Sequence, residues 1–124
     1  MGEDGRPTVL VVDDEQPIRA AMTRALRDRC RVLLAEGLDE ALVHLRKEAV
    51  DIVLADYMMP GGNGEELLTL VSRDWPHVRR ALVSGTPPDH LPTLISSGLV
   101  ELFVAKPWTL DELRAAVTTL SVAR

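Results

Sequence analysis

Short apolar runs alternate along this chain with segments whose apolar residues recur at helical spacing. Thr8-Val9-Leu10-Val11-Val12 is a β-branched-rich run that stops at Asp13-Asp14. From Pro17 onward, Ile18, Met22, Ala25 and Leu26 recur at intervals that predict a helix. Arg31-Val32-Leu33-Leu34-Ala35 is a second run, and Ala41, Leu42, Leu45 and Ala49 mark a second helix. Asp51-Ile52-Val53-Leu54-Ala55 is a third run, ending at Asp56. Asn63 followed by Glu66 forms an N-cap pair for a third helix striped by Leu67, Leu68 and Val71. Residues 78–83 predict a fourth strand, closed by Ser84-Gly85-Thr86-Pro87-Pro88. Leu91, Leu94 and Ile95 predict a fourth helix that Pro92 should shorten or delay. A fifth strand follows over residues 100–105. Thr109 and Glu112 then form a capping box for a last helix lined by Leu110, Leu113, Val117 and Leu120.

Five strand–helix repeats predict an α/β fold: a single doubly wound (βα)5 sandwich around a central five-stranded parallel sheet. Strands covered on both faces read as continuous apolar runs, as these do. With 124 residues and no linker or low-complexity tract, one domain is expected over residues 8–122, after a short tail at 1–7.

Composition narrows the function. A net charge of −5 argues against direct nucleic-acid binding. No run approaches the roughly 18 apolar residues of a membrane helix. The opening Met1 to Pro7 is polar and acidic, unlike a signal peptide, and the single Cys30 suits a reducing compartment, so a cytoplasmic location is expected. Twelve arginines stand against two lysines, Lys47 and Lys106, which singles out each lysine for attention. Only Tyr57, Trp75, Phe103 and Trp108 are aromatic, so the core must be aliphatic.

In an open parallel sheet, ligands bind beyond the carboxyl ends of the strands. The residues placed there are Asp13 and Asp14, then Glu36, Asp56, Ser84 and Lys106. Taken singly, each is an ordinary turn former or surface charge. Together they put three carboxylates, a hydroxyl and an ammonium on one sheet edge. Clustered carboxylates with room for water suit Mg²⁺. Adding a lysine and a hydroxyl suits a phosphoryl group attacked in line by a carboxylate.

The residues 9–15, Asp56 to Gly64, Ser84-Gly85 and Lys106-Pro107-Trp108 resemble the receiver domain of two-component response regulators. That resemblance spans nearly the whole chain and implies a flavodoxin-like strand order. It makes Asp56 the phosphoacceptor, supplied by a histidine kinase or a phosphotransfer protein. It assigns Mg²⁺ to Asp13, Asp14, Asp56 and the backbone carbonyl of Met58. Ser84 and Lys106 would hold phosphoryl oxygens, and Phe103 would be the switch aromatic that turns inward with Ser84. The Lys106–Pro107 bond would be cis, against a background of about 5–6% for X–Pro bonds. An effector domain or partner, and a second copy of the chain, are the further partners the resemblance admits.

The reading that competes from another class is an aspartate-nucleophile phosphatase. It needs a second acid two residues after the nucleophile, where this chain has Met58. A receiver serving only as a binding scaffold would dispense with the acidic set. A dinucleotide site is excluded, because no G-x-G-x-x-G follows the first strand. His44, His77 and His90 are expected in solvated or capping roles, Trp75 as a partly buried cap, and Cys30 near the core. Gly61-Gly62 should make the loop after Asp56 unusually flexible.

Overall fold

The computed structural model describes residues 5–122. Its elements are β1 (Thr8–Val12), α1 (Gln16–Leu26), β2 (Arg31–Ala35), α2 (Leu38–Lys47), β3 (Ile52–Ala55), β4 (Met58–Met59), β5 (Gly62–Asn63), α3 (Gly64–Asp74), β6 (Arg79–Ser84), α4 (Leu91–Ser96), β7 (Leu102–Ala105) and α5 (Leu110–Ser121). Five strands form one parallel sheet in the order β2-β1-β3-β6-β7. This is the doubly wound, flavodoxin-like arrangement, in which the chain reverses direction across the sheet between β1 and β3.

Side chains alternate across a strand, so each strand feeds two cores. Val9 and Val11 join Met22, Leu26, Leu54, Leu113 and Leu120 beneath α1 and α5. Leu10 and Val12 face the other way, packing with Leu45, Val53, Leu67, Leu68, Leu82 and Leu94 beneath α2, α3 and α4. This two-sided burial is why β1 is apolar at every position from Val9 to Val12. Cys30 lies in the first of these cores.

The helix ends follow local chemistry. The Asn63 side chain accepts the Glu66 N–H at 2.9 Å. Thr109 and Glu112 complete a reciprocal capping box at 3.1 and 3.0 Å. Trp75 is the half-buried C-cap residue of α3. Pro92 stands in the first turn of α4, which runs for only six residues.

Several boundaries depart from the periodicity. Helix α2 stops at Lys47, and Ala49 lies beyond it, exposed. Glu48 is already extended there and pairs with Arg31 across the turn. Leu110 and Ile95 are each 45% exposed rather than part of the core. The loop after Asp56 also differs from the flexible segment its glycines suggest. Met58 pairs with Asn63 and Met59 with Gly62 in a two-stranded antiparallel hairpin. Pro60 and Gly61 turn it, with Gly61 at φ +79°, the value a type II turn requires of its third residue. Gly62 leaves no room to spare, since a Cβ there would lie 3.2 Å from Leu38 Cδ2. Gly61 thus serves the turn through its positive φ, and Gly62 the close fit. Among the described residues, no helix is long and apolar enough to cross a membrane.

Candidate functional site

At the end of β1 the ladder gives out and the chain turns into α1. The Asp13 N–H still donates to Ala35 O at 3.0 Å. Its side chain is 2% exposed and tied at both oxygens. Oδ1 accepts the Glu15 N–H at 2.9 Å, and Oδ2 accepts from Lys106 Nζ at 2.6 Å. Asp14, by contrast, is exposed and lines a cleft of about 360 Å³ with Glu36, Asp39, Pro60 and Gly61.

Asp56 follows β3, with its N–H on Val12 O at 2.9 Å. That bond extends the β1–β3 ladder by one residue and sets Asp56 beside the acid pair. One carboxylate oxygen from each of Asp13, Asp14 and Asp56 lies within 4.8 Å of the others. Lys106 reaches in from the end of β7, where its N–H continues the ladder to Ser84 O at 3.1 Å. The Lys106–Pro107 bond is cis. The ammonium lies 3.2 Å from Asp56 Oδ2, so it bridges Asp13 and Asp56.

Burial raises the Asp56 carboxyl above the ordinary aspartate value. The Lys106 charge pulls against this, Asp13 adds to it, and a hydrogen bond from the Met58 N–H favours the ionised form. Burial also works against the Lys106 ammonium. The hydrogen bond and charge of Asp13, helped by Asp56, outweigh it and hold the lysine above its usual value. Lys106 therefore stays charged and sits closer to Asp13 than to Asp56.

The remaining candidates take separate positions. Ser84 is buried, donating to Thr86 O at 3.1 Å and accepting the Thr86 N–H at 3.2 Å. Its single proton is committed locally. Phe103 is half-buried against the core that contains Leu94. Met58 is 68% exposed, while its backbone belongs to the hairpin beside Asp56. Glu36 is exposed at the rim.

An all-oxygen donor set of three clustered carboxylates fits a hard divalent cation such as Mg²⁺. Asp13 is already held at both oxygens, whereas Asp14 opens onto the cleft. The set thus divides into an anchored acid and an accessible one.

Three supporting residues escape the sequence pattern. Arg19 Nη1 donates to the Asp13 carbonyl at 2.7 Å. Gly64 allows α3 to start against the loop, because a Cβ there would stand 2.5 Å from Asp56 O. His44 Nε2 lies 2.9 Å from Leu34 O, tying α2 to β2 instead of facing solvent. Each contact joins residues from different segments, which local periodicity does not register.

Residues 9–118 match the response regulator receiver domain family. The hydrogenase transcriptional regulatory protein HoxA of Cupriavidus necator is 36% identical over 111 residues, which are 89% of this chain and 23% of HoxA. The chain therefore spans about a quarter of the length of that relative. The signal receiver domain of an HD domain-containing protein from Pseudomonas fluorescens superposes with a TM-score of 0.87 at 27% identity, covering 93% of this chain and 94% of that one. The response regulator protein TrrA of Thermotoga maritima, solved in complex with Mg²⁺ and BeF, gives a TM-score of 0.81 at 29% identity, covering 92% of this chain and 98% of that one.

Proposed function

The chain belongs to the response regulator receiver domain family, and from that membership we propose that it is a phosphorylation-controlled switch with Asp56 as its phosphoacceptor. One observation carries the reading. The carboxylate of Asp56 shares a 4.8 Å cluster with Asp13 and Asp14 while ion-paired to Lys106.

An Asp56 oxygen attacks the phosphorus of a phosphohistidine on a histidine kinase or phosphotransfer protein. The O–P bond forms as the P–N bond breaks, and the imidazole leaves and recovers a proton. Asp13 and Asp14, directly or through water, would hold Mg²⁺ together with Asp56 and the Met58 carbonyl. The cation would supply charge neutralisation for the phosphoryl oxygens. Lys106 takes one of those oxygens. Ser84 gives up Thr86 O to donate to another, and Phe103 turns inward as it moves. Water later removes the phosphoryl group, so the domain resets itself without being a turnover enzyme. An attached effector domain or a separate cytoplasmic partner reads the state.

Intact-mass measurement after incubation with acetyl phosphate tests this. One added phosphoryl group is expected with Mg²⁺, and none in EDTA or in Asp56→Asn. Equal labelling of Asp56→Asn would reject the assignment, and no labelling of the wild type would favour a scaffold that only binds partners.

A further inference from the structure

Arg19 is the fourth residue of α1, and its side chain is 13% exposed. Side chains on a helix lean toward its N-terminus, which carries this guanidinium back to the end of β1. Nη1 donates to the Asp13 carbonyl at 2.7 Å, and Nη2 lies 3.9 Å from Glu36 Oε1. The Asp13 carbonyl is the first past the end of the strand, where the ladder offers it no partner of its own. Arg19 takes that place.

Every polar handle of Asp13 is thereby engaged: its N–H by Ala35, Oδ1 by Glu15, Oδ2 by Lys106 and its carbonyl by Arg19. The consequence falls on the next residue. A peptide unit is planar, so fixing the carbonyl of residue 13 fixes the plane from which Asp14 departs. Asp14 is exposed and lines an open cleft, yet one of its carboxylate oxygens lies within 4.8 Å of oxygens of Asp13 and Asp56, so the plane it departs from bears directly on the cluster.

We propose that Arg19 is a positioning residue for the divalent-cation site, aiming Asp14 through the Asp13 carbonyl. This rests on the reading that the acid cluster holds Mg²⁺. Two influences of the guanidinium oppose each other. Its charge repels an incoming cation, an effect moderated by Glu36, whereas its hydrogen bond spares the cation the cost of ordering the loop. Removal of the side chain reveals which dominates, because the two predict opposite changes in affinity.

Calorimetric titration of Mg²⁺ into the wild type, Arg19→Ala and Arg19→Lys decides the matter. Orienting partners behind metal ligands are commonly worth about tenfold or more in affinity, so Kd should rise about tenfold in Arg19→Ala. Arg19→Lys, which keeps reach and a donor, should recover most of that loss. Should Arg19→Ala fail to fold, Arg19→Gln, too short to reach the carbonyl, should show the same rise. An unchanged or tighter Kd in the truncated variant overturns the proposal, even with a lowered Tm in EDTA, since a merely structural arginine affects only the latter. Absence of Mg²⁺ binding by the wild type would instead contradict the cation site itself.

Discussion

Asp56 is pulled in two directions, and the balance sets a stability signature. Burial makes its carboxyl harder to ionise in the folded chain than in the unfolded one, despite the Lys106 ammonium at 3.2 Å. The folded state thus binds this proton more tightly. Its contribution favours folding at low pH and is lost as pH rises through the raised folded value. At neutral pH the ionised side chain is a net cost, to which the Asp13 carboxylate, with an oxygen within 4.8 Å, adds. Carboxylate repulsion at such a distance is on the order of 3 kcal/mol at an effective dielectric near 20, before screening and the offset from Lys106. Mutual repulsion alone would suggest that all three acids respond alike, whereas the leading influence on Asp56 is its own burial. Asp56→Asn keeps an acceptor for the Met58 N–H and removes the charge. Its Tm at pH 7 in EDTA should exceed that of the wild type by roughly 2–5 °C. The gap should narrow as the buffer is acidified through the carboxylate range. A variant that melts several degrees lower at pH 7 would make Asp56 a structural turn residue.

Elements place these residues by running each strand slightly past its last sheet partner. The Asp56 N–H on Val12 O and the Lys106 N–H on Ser84 O carry the ladders one residue into the site. The hairpin of β4 and β5 and the start of α3 then fold back over the end of β3. Gly64 permits that return, with its N–H on Tyr57 O at 2.8 Å. A methyl group at Gly64 would meet Asp56 O at 2.5 Å and Leu82 Cδ2 at 2.8 Å. The first is backbone, and the second is the tip of a fully buried leucine hemmed in by the core, so neither moves aside cheaply. Gly64→Ala should therefore lose about 1–3 kcal/mol, a fall of roughly 4–12 °C in Tm. It should also slow phosphoryl uptake by displacing the backbone of the acceptor. Thermal melting and an acetyl phosphate time course check both effects, and a wild-type Tm would show that α3 starts elsewhere. The strands and the two capped helices were legible because their signals are local: Asn63 with Glu66, Thr109 with Glu112, and continuous apolar runs. The hairpin was not, because Gly61-Gly62 reads as freedom in a sequence, while the fit of Gly62 against Leu38 is a tertiary contact. The end of α2 likewise depends on Glu48 meeting Arg31, a partner from another element.

At the scale of the whole molecule, a two-sided sheet brings residues 93 positions apart into hydrogen-bond contact, Asp13 with Lys106. The sequence order of the strand-end residues already placed the acids and the lysine on one edge, because every strand in a parallel sheet ends there. Which acid is anchored and which is open, and that Arg19 holds the loop between them, emerge only from packing. On the proposed reading, this edge directs a phosphoryl group to one carboxylate among three. Borohydride reduction converts an aspartyl phosphate to homoserine, so reduction after acetyl phosphate treatment, followed by peptide mapping, identifies the acceptor. Homoserine at position 56 alone, dependent on Mg²⁺, is the expected result; homoserine at position 13 or 14, or at none of the three, would rule out Asp56 as the phosphoacceptor.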